Sequence, residues 1–126
     1  MPEFDQPMGS HDTSHLPGSP TSTGDPVLAE MVRRLIAALS PQRIYLFGSK
    51  ARGEGGPDSD YDLMVVVAHS DLPGYKRDPI AYRALRGLGV AKDVLVWTVE
   101  EFDSRLHLNA SLPATVAREG RVLFAA

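Results

Sequence analysis

Three carboxylates and a glycine–serine pair are the residues of this sequence best placed to do chemistry. Asp60 and Asp62 open the apolar run Tyr61-Asp-Leu-Met-Val-Val-Val-Ala68. Alternate residues of a strand share a face, so both carboxylates point the same way with Cα atoms roughly 6–7 Å apart. Two anions crowded at the edge of an apolar strand are costly unless a cation neutralises them. No pair of basic side chains is placed for that task, which points to a divalent ion such as magnesium on oxygen ligands. A third acid, Asp93, opens another apolar run, Asp93-Val-Leu-Val-Trp-Thr98. If the two strands are neighbours, Asp93 joins the cluster, where it can ligate a second metal and accept the proton of an attacking hydroxyl.

Upstream, Gly48-Ser49 follows the short apolar run Arg43-Ile-Tyr-Leu-Phe47 and precedes an expected helical turn. Glycine permits close backbone approach to a ligand, and amides at a helix start can hold phosphate oxygens. Ser49 adds a hydroxyl donor. Arg52 is open to two roles, a fork of donors for phosphate or an ion pair with Glu54 or a helix carboxylate. A phosphate cradle beside a carboxylate pair describes a nucleoside triphosphate site. The segment is not a Walker loop, since no Gly-Lys-Ser/Thr follows. Nor is Asp58-x-Asp60-x-Asp62 a calcium loop, because its sixth and twelfth positions are Leu63 and His69.

The elements that must position these residues are legible. Asp25 caps and Pro26 begins a helix whose Leu28, Met31, Val32, Leu35, Ile36 and Leu39 recur at helical spacing, with Ser40-Pro41 as its stop. The runs 43–47, 61–68 and 93–98 read as strands, and 121–124 as an edge strand. After a loop from His69 to Gly74, Pro79–Leu88 is expected to be a helix with Ile80, Ala84, Leu85 and Leu88 facing inward. The basic residues Lys76, Arg77, Arg83 and Arg86 in and just before it read mostly as a solvated face. Thr98 and Glu101 have capping-box spacing, which predicts a helix through Phe102 and Leu106. Ser111–Glu119 is a last helix stopped by Gly120. The expected fold class is therefore α/β or α+β, a small mixed sheet flanked by helices.

The chain of 126 residues carries 13 basic and 16 acidic residues, a formal net charge of −3. That balance disfavours a bulk polyanion-binding surface, so direct nucleic-acid binding is not expected. The absence of cysteine excludes disulfides, zinc–thiolate sites and a thiol nucleophile. No apolar run approaches a membrane span and no leader pattern opens the chain, so a cytoplasmic protein without a membrane partner is expected. Residues 1–25 hold no Lys or Arg and no periodic apolar face, and are expected to form a disordered tail preceding a domain over 26–126. Four of the 16 acids fall in that tail, leaving 12 against 13 bases in the domain. His11 and His15 read as solvated tail residues rather than a metal pair.

Gly48-Ser49-x-Ala51-Arg52-Gly53, then Ser59-Asp60-x-Asp62-Leu63, then Asp93 on a later strand, resembles the polymerase-beta-like nucleotidyltransferase superfamily. Within it the chain is most similar to the minimal nucleotidyltransferases, small members often paired with a HEPN-domain protein. The resemblance spans roughly residues 27 to 124. It implies that Gly48 and Ser49 bind the triphosphate of ATP, that Asp60 and Asp62 hold two magnesium ions, and that Asp93 completes the triad. It also implies an antitoxin that transfers AMP to a tyrosine hydroxyl on a HEPN ribonuclease toxin. Two alternatives stay open. One is an antitoxin that neutralises its partner by binding alone. The other is a small-molecule, antibiotic-type nucleotidyltransferase with its acceptor domain supplied in trans. Tyr45, Tyr61, Tyr75 and Tyr82 are available for self-modification, and the sequence selects none of them.

Overall fold

The computed structural model describes residues 24–126. The tail expected over residues 1–25 lies outside them save for Gly24 and Asp25, as do His11 and His15.

Helix α1 spans Pro26–Leu39. The Asp25 carboxylate caps it by accepting from the amides of Val27 at 2.9 Å and Leu28 at 3.2 Å. It buries Leu28, Met31, Val32 and Leu35, each contributing about 1.5–3 kcal/mol. Ser40, at φ 46°, ends it by donating its amide to Ile36 O.

Strand β1 (Arg43–Phe47) leads into one helical turn, α2 (Gly48–Ala51). Strand β2 (Tyr61–Val67) returns antiparallel to β1, and β3 (Lys92–Thr98) runs parallel to β2. Strand β4 (Arg121–Ala125) closes the other side of β1, giving the mixed order β3-β2-β1-β4. The central β2 is apolar on both sides because both of its faces are covered. Leu63, Val65, Val94, Val96, Ile44 and Leu46 pack with α1 residues in the larger core. Tyr45, Met64 and Val66 face a smaller cluster with Phe102 and Val116.

Between β2 and β3 lies α3, over Gly74–Ala84. It begins five residues before the expected Pro79 and ends four before Leu88, so 79–88 is a correction. Pro79 sits inside the helix. Its missing amide frees only the carbonyl of Tyr75, a residue 75% exposed and open to water. Ala81 and Leu85 are fully buried, whereas Ile80, Ala84 and Leu88 are half-buried. Arg77 does not belong to a solvated face. It is 5% exposed, and its guanidinium binds both Glu101 carboxylate oxygens at 2.8 and 2.9 Å and the carbonyls of Leu72 and Val96.

Helix α4 (Val99–Asp103) starts with the expected Thr98–Glu101 capping box. It closes before the expected Leu106, because the amides of Arg105 and Leu106 turn to carbonyls three residues back. Helix α5 (Leu112–Glu119) is capped by Ser111. Gly120 is required for space, since a Cβ there would stand 2.5 Å from Val116 O and 2.9 Å from Leu46 O. Among the described residues, no helix is long and apolar enough to cross a membrane.

Candidate active site

The candidate residues gather at the end of the sheet where β2 and β3 begin and β1 finishes. Parallel pairing sets Asp62 directly opposite Asp93, and antiparallel pairing sets Phe47 opposite Asp62. Asp62 therefore has Asp93 on one neighbouring strand and the Phe47–Gly48 junction on the other. Strands lie about 4.8 Å apart, and in-register residues share a face, so the two carboxylates are close neighbours. Asp60 is the exposed residue just ahead of β2.

Asp62 registers this crowding. Its carboxyl is pushed above the usual aspartate range, first by burial and then by the negative charges of Asp93 and Asp60. Arg52 pulls weakly the other way. A site made of acid oxygens that repel one another fits a hard divalent cation, which would relieve that repulsion. Asp60, Asp62 and Asp93 are the residues that would hold it. Among the described residues, no three His, Asp or Glu side chains already form a ligating group. Asp93 instead accepts a hydrogen bond from the Tyr82 hydroxyl at 3.2 Å.

Gly48 is required here twice over. Its φ of +75° is a conformation that side-chain-bearing residues rarely adopt. A Cβ on it would also overlap Asp62 Oδ2. The turn α2 is thereby pressed against the carboxylate. Behind it the loop folds back: the amides of Glu54 and Gly55 donate to Ser49 O at 2.9 and 3.2 Å. Lys50 Nζ donates to Gly56 O at 3.3 Å and lies 4.5 Å from the centre of the Tyr61 ring. This return holds Ser49 at the mouth and delivers Asp60 to β2.

Arg52 takes the ion-pairing arrangement, 3.0 Å from Glu54 and 3.7 Å from Glu119. A cleft of about 220 Å³ under α2 is lined by Asp25, Lys50, Tyr61 and Arg121 among others, but by none of the three acids. Sequence reasoning missed Tyr82 as a neighbour of Asp93; it docks on the β3 edge together with Asp78, which bonds the Val96 amide and none of the three acids. The i, i+4 spacing of Asp78 and Tyr82 on a helix beside a strand edge was the available signal.

The nucleotidyltransferase domain family matches residues 28–120. No curated protein matches the chain. A crystal structure of a toxin–antitoxin with AMP-PNP superposes with a TM-score of 0.57 at 25% identity, covering 78% of this chain and 73% of that one. A substituted form of the toxin–antitoxin MntA-HpeT superposes with a TM-score of 0.54 at 22% identity, covering 79% of this chain and 72% of the other. The latter shares the fold. With a family match running from the first turn of α1 to the residue before β4, this chain belongs to the nucleotidyltransferase domain family and is a nucleotidyltransferase.

Proposed function

We propose that residues 26–126 form a magnesium-dependent adenylyltransferase domain that modifies a tyrosine hydroxyl of a partner toxin of the HEPN class, and so acts as an antitoxin. The observation that carries this reading is the juxtaposition of Asp62 with Asp93 in register and with Gly48 across the next strand. It puts three acids and a strand-to-helix turn at one sheet end. The likeness to a toxin–antitoxin carrying AMP-PNP supports a toxin partner and an adenine nucleotide.

In this reading the backbone of Gly48 and Ser49 receives the triphosphate of ATP, and Arg52 is available to it on leaving Glu54. Asp60, Asp62 and Asp93 would hold up to two magnesium ions, whose charge would neutralise the phosphates and the charge developing during transfer. The acceptor oxygen bonds to the α-phosphorus as the bond to the β-phosphate oxygen breaks, and pyrophosphate leaves. Asp93, the most exposed end of the triad besides Asp60, takes the acceptor's proton.

The test is incubation of the chain with the protein encoded beside it, α-labelled ATP and magnesium. Covalent label on a partner tyrosine is expected. Neutralisation of the partner without label would establish an antitoxin that works by binding alone. Label on a small molecule in place of the partner would establish the antibiotic-type alternative.

A further inference from the structure

Helix α3 lies along the free edge of β3 and satisfies it with side chains. The Asp78 carboxylate accepts from the Val96 amide at 2.9 Å, and the Tyr82 hydroxyl accepts from the Val94 amide at 2.9 Å. Arg77 donates to Val96 O at 3.0 Å. The geometry is matched by arithmetic. Four helical residues advance about 6 Å, and two strand residues advance about 6.6 Å. An i, i+4 pair on the helix thus reaches alternate outward amides of the strand. The edge that would otherwise be open to another chain is closed.

Tyr82 does something more than Asp78. With its oxygen fixed by the Val94 amide, its hydroxyl donates to Asp93 Oδ1 at 3.2 Å. We propose that Tyr82 is a positioning residue for Asp93, holding one carboxylate oxygen so that the other is presented toward Asp62 for the metal and the acceptor. The proposal rests on the adenylyltransferase reading above. A carboxylate on an exposed strand end has free rotation unless something holds it. Partners that orient a ligand from behind in this way typically govern affinity and rate by about 10–100-fold. Of the four tyrosines, Tyr45 and Tyr61 are buried, and Tyr82 is the one whose hydroxyl meets an acid of the site.

Manganese binding, followed by electron paramagnetic resonance on the full chain with α,β-methylene-ATP, tests this without the partner. Tyr82→Phe is expected to weaken manganese binding about tenfold. In an Asp93→Asn background the same change is expected to cost nothing further, since Tyr82 acts through Asp93. Asp78→Ala loosens the same helix–edge contact without touching a hydrogen bond to Asp93, and is expected to leave manganese binding unchanged. An equal loss from Tyr82→Phe in both backgrounds, or an equal loss from Asp78→Ala, would reduce Tyr82 to an edge support and overturn the proposal. So would undiminished binding in Tyr82→Phe. Covalent AMP on Tyr82 itself would make it an acceptor and overturn the positioning role. If the wild-type chain bound no manganese with nucleotide, the adenylyltransferase reading would fall first and this proposal with it.

Discussion

Glu101, in the first turn of α4 just past β3, and Asp62, at the start of β2, are both partly buried carboxylates, and the molecule treats them oppositely. Glu101 accepts two bonds from Arg77 and one from the Thr98 amide, and its carboxyl is held down at about 2. Asp62 is pushed up, by burial and by two further acids, against one weak cation. Glu101 is complete within the chain and serves the fold, tying α3 to the start of α4. Among the described residues, only Arg52 offsets the charge of Asp62, and it does not outweigh burial and the two acids. Stability is thus given up at one carboxylate and secured at the other, and the deficit at Asp62 is one that a bound cation would relieve.

The largest effect that tests this contrast is on transfer. Asp62→Asn is expected to lower the transfer rate by at least ~10³, because in the proposed mechanism it removes the central ligand of an ion that would supply several kcal/mol of charge stabilisation. Asp93→Asn is expected to cost at least ~10² through lost proton acceptance, with ATP affinity kept within about tenfold since Gly48, Ser49, Asp60 and Asp62 remain. Single-turnover transfer and nucleotide titration separate the two. If Asp93 were only an exposed ion-pairing acid, transfer by that variant would be near normal.

On the other side of the comparison, Arg77→Leu is expected to destabilise the fold by about 2–3 kcal/mol, since Glu101 and two carbonyls lose a charged donor. A lowering of the melting temperature by roughly 10 °C or more would register it. Acid adds a sign. Because the Glu101 carboxyl is lowered from 4.5 to about 2, its contribution is fully present above pH 4.5 and fades as pH falls toward 2. Glu101→Gln is therefore expected to be less stable than wild type at neutral pH and to converge with it in acid. A gap that persisted at pH 2 would mean that the pair does not work through charge.

The same contrast explains what the sequence made legible. Asp25-Pro26 and the Thr98–Glu101 box are local signals, each satisfied within three residues, and they fixed both helix starts. The placement of the candidate site residues was legible because chemistry constrains types and spacing: Asp60-x-Asp62 and Gly48-Ser49 sit at strand ends whichever way the sheet is assembled. The beginning of α3 was not legible. Pro79 looks like a first-turn residue, yet the contacts that extend the helix back to Gly74 are long-range, from Asp78 to Val96 and from Arg77 to Glu101. The burial of Arg77 and the docking of Tyr82 on Asp93 were hidden for the same reason. Both depend on which strand edge the helix meets.

The smallest expected effect is the most specific to the idea that Asp62 is uncompensated. In chelator, with no divalent ion present, Asp62→Asn is expected to raise stability at neutral pH by under about 1 kcal/mol, a rise of a few degrees in melting temperature. The change removes a charge that burial and two acids oppose, while keeping the size of the side chain and its contact with Gly48. The gain stays small because Asp60 and Asp93 are exposed and water screens them. Its dependence on pH has the opposite sign to that of Glu101. The Asp62 carboxyl is raised above its ordinary 3.8, so ionisation costs the folded state, and the advantage of asparagine is greatest at neutral pH and vanishes in acid where both states are protonated. Added magnesium with nucleotide should reverse the order, stabilising wild type and leaving Asp62→Asn nearly unmoved. An asparagine variant that melted lower than wild type in chelator would show that Asp62 is already compensated within the chain, and the contrast with Glu101 would collapse.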